Sequence, residues 1–353
     1  MSTFLHLTDP SGWREALRTG RVAPPSLAEV GFVHLSDAAQ VALPADRLFR
    51  GRTDLVLLAV DPAGLDVRWE PGVPGDPESM RFPHAYGPIP TSAVLAVAPY
   101  RPRPNGAFDA PPEPPARADH ADRLRVLADD LPRRVATAEV PVPGGVAARQ
   151  DESPWSHAVV DDATPAQDIA AGTERLGPCL VTIRGTDPGP VARELGRSGW
   201  RVHHEVAMVR APAPEVAAAE AVDLETVRPL WTSLWRTDLP ADAPDRVRLV
   251  DRYGILDRGA DVRFLAVRDA GRVVAGAALI LDGATALLEA VATEPGSLRR
   301  GHGDALLRAA STTAAEAGCD LLGLHADAGS WPQDWYTRRG FRVVDERWTA
   351  ARG

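Results

Sequence analysis

The residues best equipped for chemistry lie in the last third of the chain. There Glu289-Ala-Val291-Ala-Thr293 runs through Glu-Pro-Gly-Ser-Leu into Arg299-Arg300-Gly301-His302-Gly303-Asp304-Ala305-Leu-Leu. The order reads as a strand, a glycine-containing turn and a helix start. Glycines in such a turn let the backbone approach a ligand, and the first turn of a helix presents unpaired N–H groups at the positive end of its dipole. The arrangement suits a pyrophosphate, and Arg299 and Arg300 add fixed positive charge beside it. His302 reads either as a phosphate contact or as an exposed loop residue. Further on, Tyr336-Thr-Arg-Arg-Gly340-Phe341 places a phenol just ahead of a glycine turn. His325 and Asp327, at the end of the preceding strand, are candidate bases.

This stretch resembles the pyrophosphate loop of GNAT-family N-acetyltransferases, Arg/Gln-x-x-Gly-x-Gly/Ala. Two registers stay open. Placing Gly301-His302-Gly303 on the motif leaves Leu298 where the family prefers Arg or Gln, but extends as Gly-x-Gly-x-Ala-Leu-Leu across the helix start. The other register uses Arg300, Gly303 and Ala305. The segment from Tyr336 looks like the family's Tyr-x-x-x-Gly-Phe. The resemblance covers residues 213–353 and implies acetyl-CoA, bound by Val291, Thr293, Arg299, Arg300, Gly301, His302, Gly303, Asp304 and Ala305. It implies that Tyr336 protonates the departing thiolate. It also puts Glu289 on the strand lining the acceptor cleft, where a carboxylate serves as general base, directly or through water; the alternative is a strand Glu facing solvent. Cys179 and Cys319 lie away from the motif, so direct transfer to a small-molecule or protein amine in a ternary complex is expected rather than a covalent acetyl-enzyme.

A second set of polar residues sits near the start: Phe4-Leu-His6-Leu-Thr8, then Ser26 to Ser36 containing Gly31-Phe32-Val33-His34-Leu-Ser36, Arg68-Trp69-Glu70, and Phe82-Pro83-His84-Ala-Tyr86-Gly87. Together they resemble a small bacterial domain family of unknown function marked by Glu-Gly-Phe-Ile-His-x-Ser and Pro-His-x-Tyr-Gly. That family has been related to the ADP-ribosyltransferase fold. Val30 departs from it, since the family tends to carry Glu before the glycine. The resemblance implies a split antiparallel sheet holding NAD in a cleft. His6 and Thr8 would bond the nicotinamide ribose, His34 and Ser36 would share the cleft, Glu70 or His84 would orient an acceptor, and Tyr86 would supply an aromatic shelf.

The elements that must position these residues follow from hydrophobic period and turn signals. In residues 1–100, segments 4–7, 55–60 and 93–97 read as strands and 13–17 as a helical face. Dense proline from Pro99 to Pro115 predicts a semi-rigid linker over 101–118. Residues 119–212 read as a helix over 119–130, extended segments at 135–142, 179–183 and 202–209, and a helix over 190–195. They look like a degenerate GNAT-like subdomain without its loop, in which no residue stands out for chemistry. From 213 the reading is a helix over 224–235, strands at 263–267, 272–280 and 286–293, a helix over 304–317, a strand at 321–325, a helix over 332–339 and a strand at 341–348. The fold class expected is α+β: an ADP-ribosyltransferase-like split sheet over 1–100, the degenerate half, then a GNAT α/β domain with a mixed central sheet over 213–353.

Composition bounds the function. A net charge of −9 over 353 residues disfavours a nucleic-acid partner. No apolar run is long enough to span a membrane, and the N-terminus lacks a signal-peptide pattern, so a cytoplasmic protein is expected. All 39 basic residues are arginine, which excludes a Lys Schiff base, Lys-anchored pyridoxal phosphate and a P-loop lysine. Two distant cysteines and scattered histidines give no metal-ligand spacing. The function expected is acetyl-CoA-dependent N-acetyltransfer, fused to an ADP-ribosyltransferase-like domain. The alternative is an NAD- or ADP-ribose-handling transferase, or a cofactor-sensing binding protein, in which the acetyltransferase domain is subsidiary.

Overall fold

The structure, a computed structural model, describes residues 3–72, 80–111, 115–153, 155–235 and 244–352. Packing divides the chain into two compact units. One comprises Met1–Arg123, Asp282–Thr285 and Ala314–Leu321; the other comprises Leu124–Leu281, Ala286–Thr313 and Leu322–Gly353.

The first unit runs β1 (Phe4–Thr8), α1 (Pro10–Thr19), β2 (Arg21–Val22), α2 (Pro25–Val30), β3 (Val33–His34), α3 (Ala42–Phe49), β4 (Leu55–Val60), β5 (Val67–Pro71), β6 (Arg81–Ala85), β7 (Ile89–Pro90) and β8 (Val94–Tyr100). α1 starts where Asp9 accepts the Gly12 N–H at 2.8 Å and stops at left-handed Gly20. The strands form three small antiparallel sheets, β1-β4-β8, β2-β7 and β3-β6-β5. β4 is buried along its whole length, as its unbroken apolar run requires. A bridge between Leu5 and Ser36 ties the first sheet to the residues after β3.

The proline-rich stretch is anchored to this unit over residues 100–110. Tyr100 and Phe108 are buried and stack at 4.9 Å, the Tyr100 hydroxyl donates to the Asp109 carbonyl at 2.7 Å, and the Phe108 N–H donates to Asp46 at 2.9 Å. Two aromatic rings outweigh the spacer-like composition. Residues 112–114 lie outside the described residues. Arg123 is also buried here, held by the Asp320 carboxylate at 2.7 and 3.0 Å, the Thr285 hydroxyl at 3.0 Å and the Ala284 carbonyl at 2.9 Å.

The chain continues as α4 (His120–Arg134), β9 (Ala138–Val142), β10 (Gly145–Arg149), β11 (Ser156–Asp161), α5 (Ala166–Thr173), β12 (Cys179–Arg184), α6 (Gly189–Arg197), β13 (Arg201–Arg210), β14 (Glu220–Val222), α7 (Leu224–Leu234), α8 (Pro244–Leu256), β15 (Asp261–Asp269), β16 (Arg272–Asp282), β17 (Thr285–Thr293), α9 (His302–Glu316), β18 (Leu321–Asp327), α10 (Trp331–Thr337) and β19 (Arg342–Arg352). Eleven strands make one mixed sheet, ordered β14-β15-β16-β17-β18-β13-β19-β12-β11-β10-β9. β15 and β16 are joined at Ala270-Gly271, both with positive φ, the geometry of a two-residue hairpin whose twist matches its strands.

The centre of this sheet is interleaved. β13 ends the stretch that reads as a subdomain of its own, yet it lies between β18 and β19, with Glu205 opposite Asp327 on one side and Arg347 on the other. β19 then pairs with β12. Residues 119–212 and 213–353 therefore share a single sheet, and the chain is a mixed α/β protein. Among the described residues no helix is long and apolar enough to cross a membrane.

Candidate active site

β17 runs into the glycine turn much as its sequence suggests. Arg299 and Gly301 are both left-handed, at φ 63° and 82°, and α9 begins at His302. A Cβ at Gly301 would meet nothing within 4 Å, so this glycine serves the backbone twist and leaves the start of α9 uncovered. Gly303 has a different reason: a Cβ there would stand 3.3 Å from the Trp335 ring. Arg300 pairs with Asp269 at 3.0 Å. Arg299 has no ion pair or hydrogen bond with any described residue and is the uncommitted cation of the loop. Asp304, in the first turn of α9, would oppose an anion, but Arg339 pairs with it and holds its carboxyl below the usual range. Arg339 in turn lies 3.9 Å over the Trp335 ring. His302 is partly buried, with Nε2 unpartnered, and Ala305 is buried in the helix. Free helix N–H groups, a charged guanidinium and an open glycine fit a pyrophosphate.

Before that turn, β17 kinks at Ala290, whose φ is 54°. The kink breaks the strict alternation of a strand, and Leu287, Leu288, Glu289, Ala290 and Val291 all line one cavity of about 660 Å³. Tyr336 of α10 and His325 and Asp327 of β18 line it too. Glu289, Val291 and Tyr336 are thus brought together, while Thr293 and residues 299–305 lie outside this lining. The Glu289 carboxylate accepts from the Tyr253 hydroxyl at 3.2 Å and lies 3.7 Å from Arg252, which donates to the same hydroxyl at 2.9 Å. Tyr253 is fully buried beside Trp231, their rings 5.3 Å apart. Burial pushes the Tyr336 phenol up to about 12, with Arg339 pulling the other way.

The far wall comes from the segment in which the sequence marks no chemistry. Gln150, Trp155, His157 and Leu180 line the cavity, with Leu127 and Leu131 of α4. Its polar floor crosses four strands. Arg347 on β19 donates to Glu205 on β13 at 3.1 Å and to the Thr182 hydroxyl on β12 at 3.3 Å, and His157 Nε2 on β11 is 2.9 Å from that hydroxyl. Burial, then Arg347, Arg184 and Arg252, bring His157 down to about 3. Burial, with Arg347 and Arg184, likewise holds His325 well below its ordinary value. Both rings are neutral at pH 7.

In the first unit, β3, β5 and β6 gather most of the second residue set. The His84 ring is stacked on Phe32 at 3.9 Å and edge-on to His34 at 5.1 Å, and its Nδ1 is 3.3 Å from Glu70. The Tyr86 hydroxyl donates to the same carboxylate at 2.8 Å, and Arg68 lies 4.1 Å over the Tyr86 ring. His6 Nδ1 sits 2.9 Å from the His34 carbonyl, and Ser36 bridges to Leu5 beside it. Thr8 is turned elsewhere, its hydroxyl 3.5 Å from the Asp9 carbonyl. His84 Nε2 is buried without a partner. Burial lowers the pKa of all three histidines. Phe32 and Arg68 complete the cluster, although nothing in the sequence marks them as site residues.

Comparison with known proteins assigns both regions. Residues 7–97 match the model of a protein family of unknown function, DUF952, and residues 260–343 match an acetyltransferase (GNAT) domain. A solved Caulobacter crescentus protein is 32% identical, covering 31% of this chain and 94% of its own, with a TM-score of 0.28. A GCN5-related N-acetyltransferase from Kribbella flavida is 19% identical over 64% of this chain and 94% of its own, TM-score 0.45. A GNAT-family putative acetyltransferase from Novosphingobium aromaticivorans is 20% identical over 60% and 89%, TM-score 0.41. No curated protein matches. The chain therefore joins a DUF952-family domain of unknown function to a GNAT acetyltransferase domain.

Proposed function

We propose that the C-terminal domain transfers an acetyl group from acetyl-CoA directly to an amine held in the cavity. The observation that carries this reading is that Glu289 and Val291, flanking the kink of the strand that feeds the Arg299–Gly303 turn, line one cavity with Tyr336. Arg299 and the start of α9 hold the pyrophosphate, and the thioester end lies along Val291 toward Tyr336. The buried phenol gives its proton to sulfur as the thiolate departs. Glu289, fixed by Tyr253 and Arg252, presents negative charge that draws in and orients the acceptor amine. Among the described residues no cysteine lines the cavity, which fits attack by the amine itself. The test is calorimetric titration with acetyl-CoA, joined to mass-spectrometric detection of acetylated amines after incubation with a small-molecule extract. Binding and an N-acetyl product are expected; absence of binding overturns the reading.

A second reading attaches to residues 7–97, favoured by the convergence of His34, Glu70, His84, Tyr86 and Phe32. We infer that this cluster binds an ADP-ribose-containing nucleotide such as NAD, with aromatic rings for the base and imidazoles for ribose hydroxyls. No glycine-rich phosphate loop is present among these residues, so affinity rests on side chains. NAD at a hundredfold excess over its dissociation constant adds about 2.7 kcal/mol to the stability of the protein that binds it. The shift is expected to vanish in His34→Ala. An unchanged melting temperature in millimolar NAD sinks this ligand.

A further inference from the structure

We propose that His325, on β18, is the base that takes the proton from the acceptor nitrogen. The inference rests on the acetyl-transfer reading above and names the group which that reading leaves unassigned. Each other candidate in the cavity lining is already committed or sits at its rim. Glu289 accepts from Tyr253 and lies against Arg252, Glu205 is paired with Arg347, and His157 spends Nε2 on Thr182. Asp327 is exposed to water.

His325 differs from all of these. Its ring lines the same cavity as Tyr336 and Glu289 and keeps some accessible surface. Neither ring nitrogen has a hydrogen-bond partner among the described residues. A histidine kept for structure ordinarily spends at least one nitrogen on a fixed partner; this one spends neither. β18 lies next to β17, which carries Glu289, and leads into α10, which carries Tyr336. The charged and titratable groups around the ring are Arg347 and Arg184, with Glu205, Glu289, Asp327, His157, Arg248, Arg252, Tyr253 and Tyr336 elsewhere in the lining. Burial, then the two arginines, keeps the imidazole neutral and its lone pair free at pH 7, and the same effects disfavour the protonated ring, so a proton it accepts passes on to solvent at once.

In the step, the amine lone pair forms the N–C bond to the thioester carbon and the C–S bond breaks. The bonding pair stays on sulfur, which takes the Tyr336 proton. The proton lost by nitrogen passes to His325 and then, through solvent, restores the phenol. The net products are the amide and the free thiol.

The experiment compares wild type, His325→Gln, His325→Asn and Glu289→Gln. Thiol release from acetyl-CoA is followed with tryptamine, histamine, spermidine, glycine and a lysine-containing peptide, alongside calorimetric acetyl-CoA binding and melting temperature. With the best amine, both His325 variants are expected to lose at least a hundredfold in kcat. Their acetyl-CoA affinity should stay within threefold, and the acid limb expected of the wild-type kcat profile, well below pH 6.5, should disappear. Glu289→Gln is expected to raise KM more than it lowers kcat. If a folded His325→Gln keeps kcat within fivefold of wild type, or keeps the acid limb, the assignment is wrong. If wild type binds no acetyl-CoA, or binds it and acetylates none of these amines, the acetyl-transfer reading fails and this inference with it.

Discussion

Arg299 and Gly301 both take the left-handed conformation, within three residues, and only one of them is a glycine. A non-glycine residue in that region costs on the order of 1 kcal/mol, which the fold tolerates at Arg299, where it would place a guanidinium beside the start of α9. Gly301→Val adds a branched side chain at φ 82°, where its Cβ meets no neighbour within 4 Å. It is expected to weaken acetyl-CoA binding at least tenfold while lowering stability by about 1–2 kcal/mol; calorimetry and thermal melting separate the two effects. Tyr336→Phe tests the opposite end of the site, where kcat should fall about 10- to 100-fold with little change in cofactor affinity. An unaltered kcat would remove the phenol from the mechanism. These residues were legible in the sequence because their motifs are local: a turn, a helix start, a phenol four residues before a glycine. Arg252 and Tyr253 were not, because their partner Glu289 is far off in sequence and nothing local marks the pairing. The His34–His84–Glu70 gathering lay between, since its members were named singly but their meeting depends on β3, β5 and β6 pairing.

Among the elements, the strands and helices with long uniform patterns were readable: β4, β15, β16, β17, α9 and α10 lie close to where hydrophobic period puts them. α8 and the β10–β11 hairpin were missed. β10 and β11 are short, and β10 packs mainly alanines, which carry little strand signal. The larger surprise is pairing rather than identity. The sequence reads residues 119–212 as a degenerate GNAT-like subdomain ahead of 213–353, and β13 is inserted between β18 and β19. A chain of residues 213–353 alone would leave facing edges of β18 and β19 without their shared partner, and exposed edges invite aggregation. It should therefore be insoluble or lack a cooperative unfolding transition, whereas co-expressed residues 119–212 should restore solubility. A soluble, cooperatively melting 213–353 would show that the interleaving is dispensable.

Across the whole molecule, histidines are held neutral in buried or partly buried places: His6 in the first unit, and His157 and His325 in the second. Their pKa values are lower in the folded state than the ordinary 6.5 of an unfolded chain. Above pH 6.5 neither state binds the proton and no stability is at stake. Below it only the unfolded chain takes the proton up, so stability falls with pH, for His157 down to about 3. At pH 5 the loss is about 2 kcal/mol at most for such a histidine. The urea midpoint should drop between pH 7 and 5, and His157→Gln should drop less steeply; equal slopes would mean that this ring is not the source. The interleaved sheet also has a consequence in time. β19 fills the slot between β13 and β12, so those two strands must wait for residues 342–352 to leave the ribosome. Until then the nascent chain carries two open strand edges at the middle of its largest sheet, and no part of the cavity floor that depends on Arg347 exists. Folding of this unit is thus deferred until β19 has emerged, and a chaperone that shields strand edges during translation would raise its yield more than one acting after release.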